Sequence, residues 1–178
     1  KPHGADNELV FDTVPGPIRV RLSLAGGKVK QVSVTYVPSF LQLDGATIQV
    51  EPWGKLTVDV AWGGCYYAII PAAAIGLEVN QANYRALVEA GTRILPAVNA
   101  QLDVQHPELP HVRDVQYIQF SGPPSLPEAH ARNMVYLPPD SCDRSPCGTG
   151  TCARMATLYA RGELPLHQDF GHESIISS

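Results

Sequence analysis

The 178-residue chain has 44% hydrophobic and 17% charged side chains, enough apolar material for a packed core, which excludes wholesale disorder. Its net charge of -4, with no basic run, argues against nucleic acid as the main partner. The longest apolar stretch, 65–75, holds two tyrosines and a proline and is far too short to span a membrane; no secretory leader opens the sequence, so the cytoplasm is the expected address.

Residues 1–8 are polar, with Pro2, Gly4 and Asp6, and are expected to form a loose start. Short strands follow over 9–12 and 18–24. In the second, Ile18, Val20, Leu22 and Leu24 alternate with Arg19, Arg21 and Ser23, the period of a half-buried strand. Ala25-Gly26-Gly27-Lys28 predicts a hairpin turn, because paired glycines accept positive φ. The alternation resumes over 29–37 and stops at Pro38. Further strands are expected over 48–50 and 56–61, with Pro52 and Gly54 in the turn between them, and over 65–70, closed by Pro71.

The pattern changes after Val79. Asn80 is a good N-cap, and 81–102 places Tyr84, Leu87, Val88, Ile94, Leu95, Val98 and Leu102 at helical spacing. Pro96 lies inside this helix and predicts a kink or break. A loop at 106–110 leads to strands over 115–120 and 133–137, joined by a Gly/Pro-rich connection at 121–127. A second helix is predicted from Gly148 to about Arg161, with Gly162 as its stop. The fold class is α+β, with helices packed into strongly twisted sheet.

Of the four cysteines, Cys142, Cys147 and Cys152 fall within eleven residues and Cys65 stands apart. In a reducing compartment all four are expected as free thiols. Asp143-Arg144-Ser145-Pro146-Cys147-Gly148-Thr149-Gly150-Thr151 has the make-up of a constrained loop feeding a helix. Pro146 sets the entry, and the two glycines let backbone N–H groups converge. A cysteine at such a start faces the positive end of the helix dipole, which favours thiolate and lowers the pKa; a ligand carboxylate is favoured there for the same reason. The alternative is that Cys147 is a small buried hydrophobe at a turn.

Asp143-Arg144-Ser145-Pro146-Cys147-Gly148-Thr149-Gly150 resembles the second-cysteine motif of the proline racemase family. Downstream, Ala153-Arg154, Ala160-Arg161-Gly162-Glu163-Leu164 and His172-Glu173-Ser174-Ile175-Ile176 are similar to the same family. So, upstream, are Asp59-Val60-Ala61-Trp62-Gly63-Gly64 with Tyr66-Tyr67, Val37-Pro38-Ser39-Phe40, and Asp12-Thr13 with Gly16. The resemblance implies a diaminopimelate-epimerase-like fold of two lobes, each a mixed sheet curled around a central helix. It implies two cysteines, one per lobe, that pass a proton across the α-carbon of an imino acid without pyridoxal phosphate or metal. On that basis Cys147 is one acid/base thiol, Gly148 and Thr149 bind the substrate carboxylate, and Asp143 holds the ring ammonium. The expected substrate is 4-hydroxyproline, with proline as the alternative. The resemblance implies neither a nucleic-acid nor a membrane partner, and homodimerisation is left open.

The chain departs from that pattern. The family's other cysteine, in a Met-Cys-Gly-His segment upstream of the position matching Lys1, is absent. Residues 1–37 are therefore expected to be the incomplete end of the first lobe and 38–178 most of the second. Such a chain is expected to be inactive alone, and a binding or interaction module is the reading of another class. Cys65 stands where many relatives have asparagine; beside Gly64 it either lines the cleft or packs, and packing is the simpler expectation. A dehydratase branch of the family carries threonine in place of the second cysteine, and Cys147 argues against it. Zinc on Cys142, Cys147 and Cys152 with His167 or His172 lacks the second ligand pair that structural zinc needs. A cysteine hydrolase would need a histidine base; His106, His111, His130 and His172 are present but are expected to be surface or loop residues.

Overall fold

The computed structural model describes residues 7–178, which fall into two compact units, one ending at Pro38 and one beginning at Ser39. The loose start expected over 1–8 lies outside the described residues for 1–6. Asn7 and Glu8 instead extend the first strand, because they pair with Leu22 and Arg21.

The first unit is an antiparallel sheet of β1 (Asn7–Thr13), β2 (Gly16–Ala25) and β3 (Lys28–Thr35) in sequential order. The predicted alternation holds in β2: Ile18, Val20, Leu22 and Leu24 are more enclosed than the exposed arginines and serine between them. Gly26 and Gly27 both have positive φ, 57° and 72°, the conformation a two-residue hairpin turn demands.

The second unit is one seven-stranded mixed sheet with two helices. Its strands are β4 (Phe40–Val50), β5 (Gly54–Trp62), β6 (Tyr66–Pro71), β7 (Tyr117–Gly122), β8 (Ala131–Leu137), β9 (Ser141–Cys142) and β10 (His172–Glu173). The order is β10-β8-β7-β6-β5-β4, with β9 on β8; β6–β7 and β8–β10 are parallel and the rest antiparallel. The first of these strands is far longer than the 48–50 expected, because β4 tracks β5 through two register shifts that its sequence does not announce.

Helix α1 (Tyr84–Gln101) touches β4, β7 and β8, strands as much as four places apart in the sheet, so the sheet curls around it. Helix α2 (Gly148–Ala160) packs on β4, β5 and β6. The central strand β6 is accordingly buried on both faces, with Tyr67 and Ile69 among the residues that meet Ala153 of α2. The α+β class and the curled mixed sheet around a central helix are as expected.

Two helix expectations need correction. Asn80 does cap, its Oδ1 accepting from the Asn83 N–H at 3.0 Å, but the turn it caps is a 3-10 turn at Gln81–Asn83, and α1 starts at Tyr84. Pro96 does not break α1. A mid-helix proline costs about 3 kcal/mol. Leu87, Ile94 and Val98, each with no exposed surface, lie in the core on both sides of it and offset that cost. Close approach assists: a Cβ on Gly91 would fall 2.3 Å from Tyr136 Cγ, so α1 sits against β8 at a depth only glycine allows. Helix α2 ends one residue before the prediction, with Arg161 as C-cap and Gly162 at φ 73°. Arg161 also pairs with Asp44 on β4 and with Asp59 on β5, the latter at 2.5 Å, tying the end of α2 to the sheet.

Candidate active site

Cys147 is the N-cap of α2 and holds φ 63°, a left-handed conformation that L-residues seldom adopt. Several groups hold it there. Its N–H donates to Ser145 Oγ at 3.2 Å, and Ser145 in turn donates both its N–H and its hydroxyl to Asp143 Oδ1 at 2.8 Å. The Pro146 carbonyl accepts from Asn133 Nδ2 at 2.8 Å and from the Thr151 hydroxyl at 3.2 Å. The Cys147 carbonyl accepts the first helical bond, from Thr151 N–H. The loop is therefore pinned at each residue from Asp143 to Cys147 except Arg144, whose side chain is exposed.

Cys147 is buried, 9% exposed as a residue, and its sulfur meets polar groups. Tyr67 Oη lies 3.4 Å from Sγ and 2.6 Å from Thr149 Oγ1, which is itself 4.0 Å from Sγ. The Gly150 amide also favours a charged sulfur, lowering its pKa. Of the three amides that open α2, this leaves those of Gly148 and Thr149 with no intrahelical acceptor, an arrangement suited to an anion. Gly148 is exposed and Thr149 half-buried.

Electrostatics correct the expected lowering of the Cys147 pKa. Burial raises it; hydrogen bonds from Tyr67, Gly150 and Thr149 lower it, and the Asp143 carboxylate raises it, with a net rise. Desolvation of a thiolate outweighs the donors that sequence alone could foresee. Tyr67, 1% exposed, is pushed far above the ordinary phenol value, first by burial and then by the charge of Cys147, so it remains a neutral hydroxyl.

The other expected site residues fall around this point. Gly64 is buried, with φ 112°. Cys65 is half-buried and packs against the cluster of Ala61, Tyr67, Ile69, Val135, Cys147 and Ala153. Burial, then the charge on Cys147, raises its thiol. All four cysteines are free. Cys142 lies on β9 and Cys152 within α2, on either side of Cys147. His106 lies in a loop, as expected, but not at the surface: it is 8% exposed, its Nδ1 accepts the amides of Glu108 and Leu109 at 3.1 Å, and its ring packs 4.7 Å from Trp62. His172 bonds Thr151 Oγ1 at 2.8 Å rather than the sulfur, and its imidazole is held down to about 4 by burial and then by the charge of Arg154.

Tyr67, Asn133 and Gln119 were not singled out from sequence as site residues. Tyr67 lies 80 positions from Cys147 and reaches its sulfur, and Asn133 lies 14 positions away and reaches the Pro146 carbonyl; both are placed by the sheet. Gln119 is fully buried, and neither of its amide atoms has a hydrogen-bond partner among the described residues; a Cβ on Gly150 would sit 3.2 Å from its Oε1 and from Cys147 Sγ. The signal available was polarity inside a strand otherwise reading as core. Gly63 is a further such position. A Cβ there would lie 2.1 Å from the Thr149 carbonyl oxygen and 2.7 Å from the Ala153 nitrogen, so α2 rests directly on the end of β5.

Comparison with known proteins places this arrangement. A family model described as proline racemase matches residues 2–178. Proline racemase A of Trypanosoma cruzi is 42% identical over 174 residues, 96% of this chain and 41% of that protein. The 4-hydroxyproline 2-epimerase of Paracoccus denitrificans is 40% identical over 170 residues, 96% of this chain and 51% of that protein. Among solved structures, a hydroxyproline epimerase from Agrobacterium vitis, with bound trans-4-OH-L-proline, superposes with a TM-score of 0.93 at 34% identity, over all of this chain and 51% of that one. The chain spans about half the length of the curated relatives it matches.

Proposed function

The chain belongs to the proline racemase family, and from that premise we propose that it supplies one half of a cofactor-independent site that epimerises 4-hydroxyproline at its α-carbon. Cys147 is one of two acid/base thiols in this proposal; the other comes from the Met-Cys-Gly-His segment of a first lobe, of which residues 1–37 are the end, while 38–178 form most of the second lobe. The observation that carries it is the Cys147 sulfur at the start of α2, with the Tyr67 and Thr149 hydroxyls around it and the open amides of the first helical turn beside it.

The chemistry runs from the residues. Gly148 and Thr149 offer amide donors, and Thr149 a hydroxyl, to the substrate carboxylate, and stabilise the charge that builds there as the α-proton leaves. Asp143, fixed by Ser145, holds the ring ammonium, which acidifies the α-carbon. Cys65 packs beside Tyr67 and Cys147 and supports the site rather than touching substrate. One of the two thiols, as thiolate, takes the α-proton and the other delivers a proton to the opposite face; burial of Cys147 favours its protonated, delivering form. Microscopic reversal exchanges the two roles.

Proline is the second reading, favoured by the 42% identity to Proline racemase A. Both are tested by incubating the chain in deuterated water with trans-4-hydroxy-L-proline or L-proline, with and without the first lobe of a relative supplied in trans. We expect deuterium at the α-carbon only when that lobe is present, faster for hydroxyproline, and at least ~100-fold less with Cys147→Ser. Undiminished exchange in the serine variant would overturn the assignment.

A further inference from the structure

The hydroxyl of Tyr67 stands between two groups with different tasks, 3.4 Å from the Cys147 sulfur and 2.6 Å from the Thr149 hydroxyl. Its ring is fixed in the core by β6, with Tyr117 on β7 at 5.4 Å between centroids, so the hydroxyl cannot swing away. Tyr67 and Thr149 each own one hydroxyl hydrogen, and each oxygen can both donate and accept. That hydrogen count makes the direction of donation depend on the sulfur.

When Cys147 is a thiolate it can only accept. Tyr67 then donates to Sγ, and Thr149 donates to Tyr67 Oη. When Cys147 is a thiol, Tyr67 is released to donate to Thr149 Oγ1, and the Thr149 hydrogen turns outward from its half-buried position. We propose that Tyr67 and Thr149 form a hydroxyl relay that couples the protonation state of Cys147 to the hydrogen-bond donor that Thr149 presents to the substrate carboxylate. The inference rests on the assignment of Cys147 as a proton-transfer thiol.

The step balances without any added reactant. A proton leaving the α-carbon ends on Sγ, and its bonding pair remains on the substrate, drawn toward the carboxylate. The Tyr67 hydrogen turns from Sγ to Thr149 Oγ1 and the Thr149 hydrogen turns from Tyr67 to the carboxylate; neither hydroxyl gains or loses a proton. A donor thus arrives at the carboxylate as negative charge grows there, and is withdrawn as Cys147 gives its proton back. Such timing stabilises the charged state in preference to the ground state.

The groups that face Cys147 electrostatically come from every element around it: Cys65 before β6, Tyr67 on β6, Tyr117 on β7, Asp143 in the loop after β9, and Cys152 on α2. All but Tyr67 are untouched in the variants that test the relay. The pH dependence of Cys147 alkylation by iodoacetamide is followed by peptide-level mass spectrometry on the intact chain. The proteins compared are the parent, Tyr67→Phe, Thr149→Val and the double variant, each checked by circular dichroism.

Losing a hydrogen bond to a charged sulfur is expected to raise the alkylation midpoint by about one pH unit in Tyr67→Phe. Thr149→Val is expected to raise it by less, since its own contact with Sγ is long, at 4.0 Å, and most of its effect passes through Tyr67. The double variant should stay close to Tyr67→Phe alone, well short of the sum of the two shifts. An unmoved midpoint in Tyr67→Phe, or shifts that simply add, would overturn the relay. Should Tyr67→Phe fail to fold, an unmoved midpoint in Thr149→Val overturns it by itself. These midpoints do not depend on turnover, so a failed relay is distinct from a failed proton-transfer assignment, which the deuterium exchange of Cys147→Ser reads.

Discussion

Burial pushes the Cys147 thiol up while Tyr67, Gly150 and Thr149 pull it down, and the balance is set within a few ångströms of one sulfur. The backbone at that residue is equally constrained, at φ 63°, and the strain is held by bonds to the Pro146–Cys147 peptide before it and to the Cys147 carbonyl after it. Asn133 matters most on the Pro146 side: it is fully buried, and its Nδ2 is 2.8 Å from the Pro146 carbonyl. Replacing it with alanine leaves that carbonyl only the Thr151 hydroxyl and opens space beneath the loop. Asn133→Ala is therefore expected to cost about 1–3 kcal/mol in urea denaturation. It should also make Cys147 alkylation faster, because the loop that shields the sulfur loosens. An unchanged denaturation midpoint would show that Asn133 does not anchor the loop.

Between elements, the decisive contact is α2 on the end of β5. Gly63 lies against backbone atoms, the Thr149 carbonyl and the Ala153 nitrogen, and backbone cannot step aside as a flexible side chain can. Gly63→Ala is expected to destabilise the second unit by about 3 kcal/mol or to displace the first turn of α2. Either outcome appears as a lower urea midpoint or as altered amide protection at Gly148–Thr151. Gly26→Ala serves as the contrast: its Cβ would meet nothing within 4 Å, and only the left-handed backbone, at φ 57°, resists it. A smaller loss, of about 1 kcal/mol, is expected there. Equal losses at the two positions would contradict the packing account of Gly63.

For the molecule as a whole, buried titratable groups near the end of the chain set the response to acid. Glu173 is 1% exposed. Burial alone would raise its carboxyl, but the Ser125 hydroxyl and amide, the Leu126 amide and Ser177 lower it to about 2 from 4.5. Arg132 completes the arrangement, 3.3 Å from Glu173 and bonded to the Ser174 and Ile175 carbonyls. His172 is held down to about 4 from 6.5. Both folded pKa values lie below their unfolded ones, so the unfolded chain binds more protons in the intervening range and stability falls as pH falls. The His172 contribution is present above about 6.5 and lost as pH falls toward about 4; that of Glu173 is present above 4.5 and lost toward about 2. The urea midpoint is thus expected to decline from about pH 6.5 downward in two stages. His172→Gln should flatten the upper stage and leave the lower. A midpoint flat from pH 7 to 4 in the parent would refute the His172 part. Among the described residues no helix is long and apolar enough to cross a membrane.

What the sequence determined by itself was governed by short-range sterics and residue chemistry. Gly26-Gly27 set the hairpin, Gly162 stopped α2, and Pro146-Cys147-Gly148 marked a loop entering a helix, because φ preferences act within a residue or two. The eight-residue motif around Cys147 carried the family for the same reason, as a local pattern. Tertiary structure decided the rest. Whether α1 passed through Pro96 depended on a core gathered from strands distant in sequence. The Cys147 thiol rose rather than fell because desolvation exists only once the sheet closes over it. Its partner Tyr67 came from 80 residues away. Long-range burial and pairing leave no local trace, and they act on the same sulfur that local sequence had already picked out.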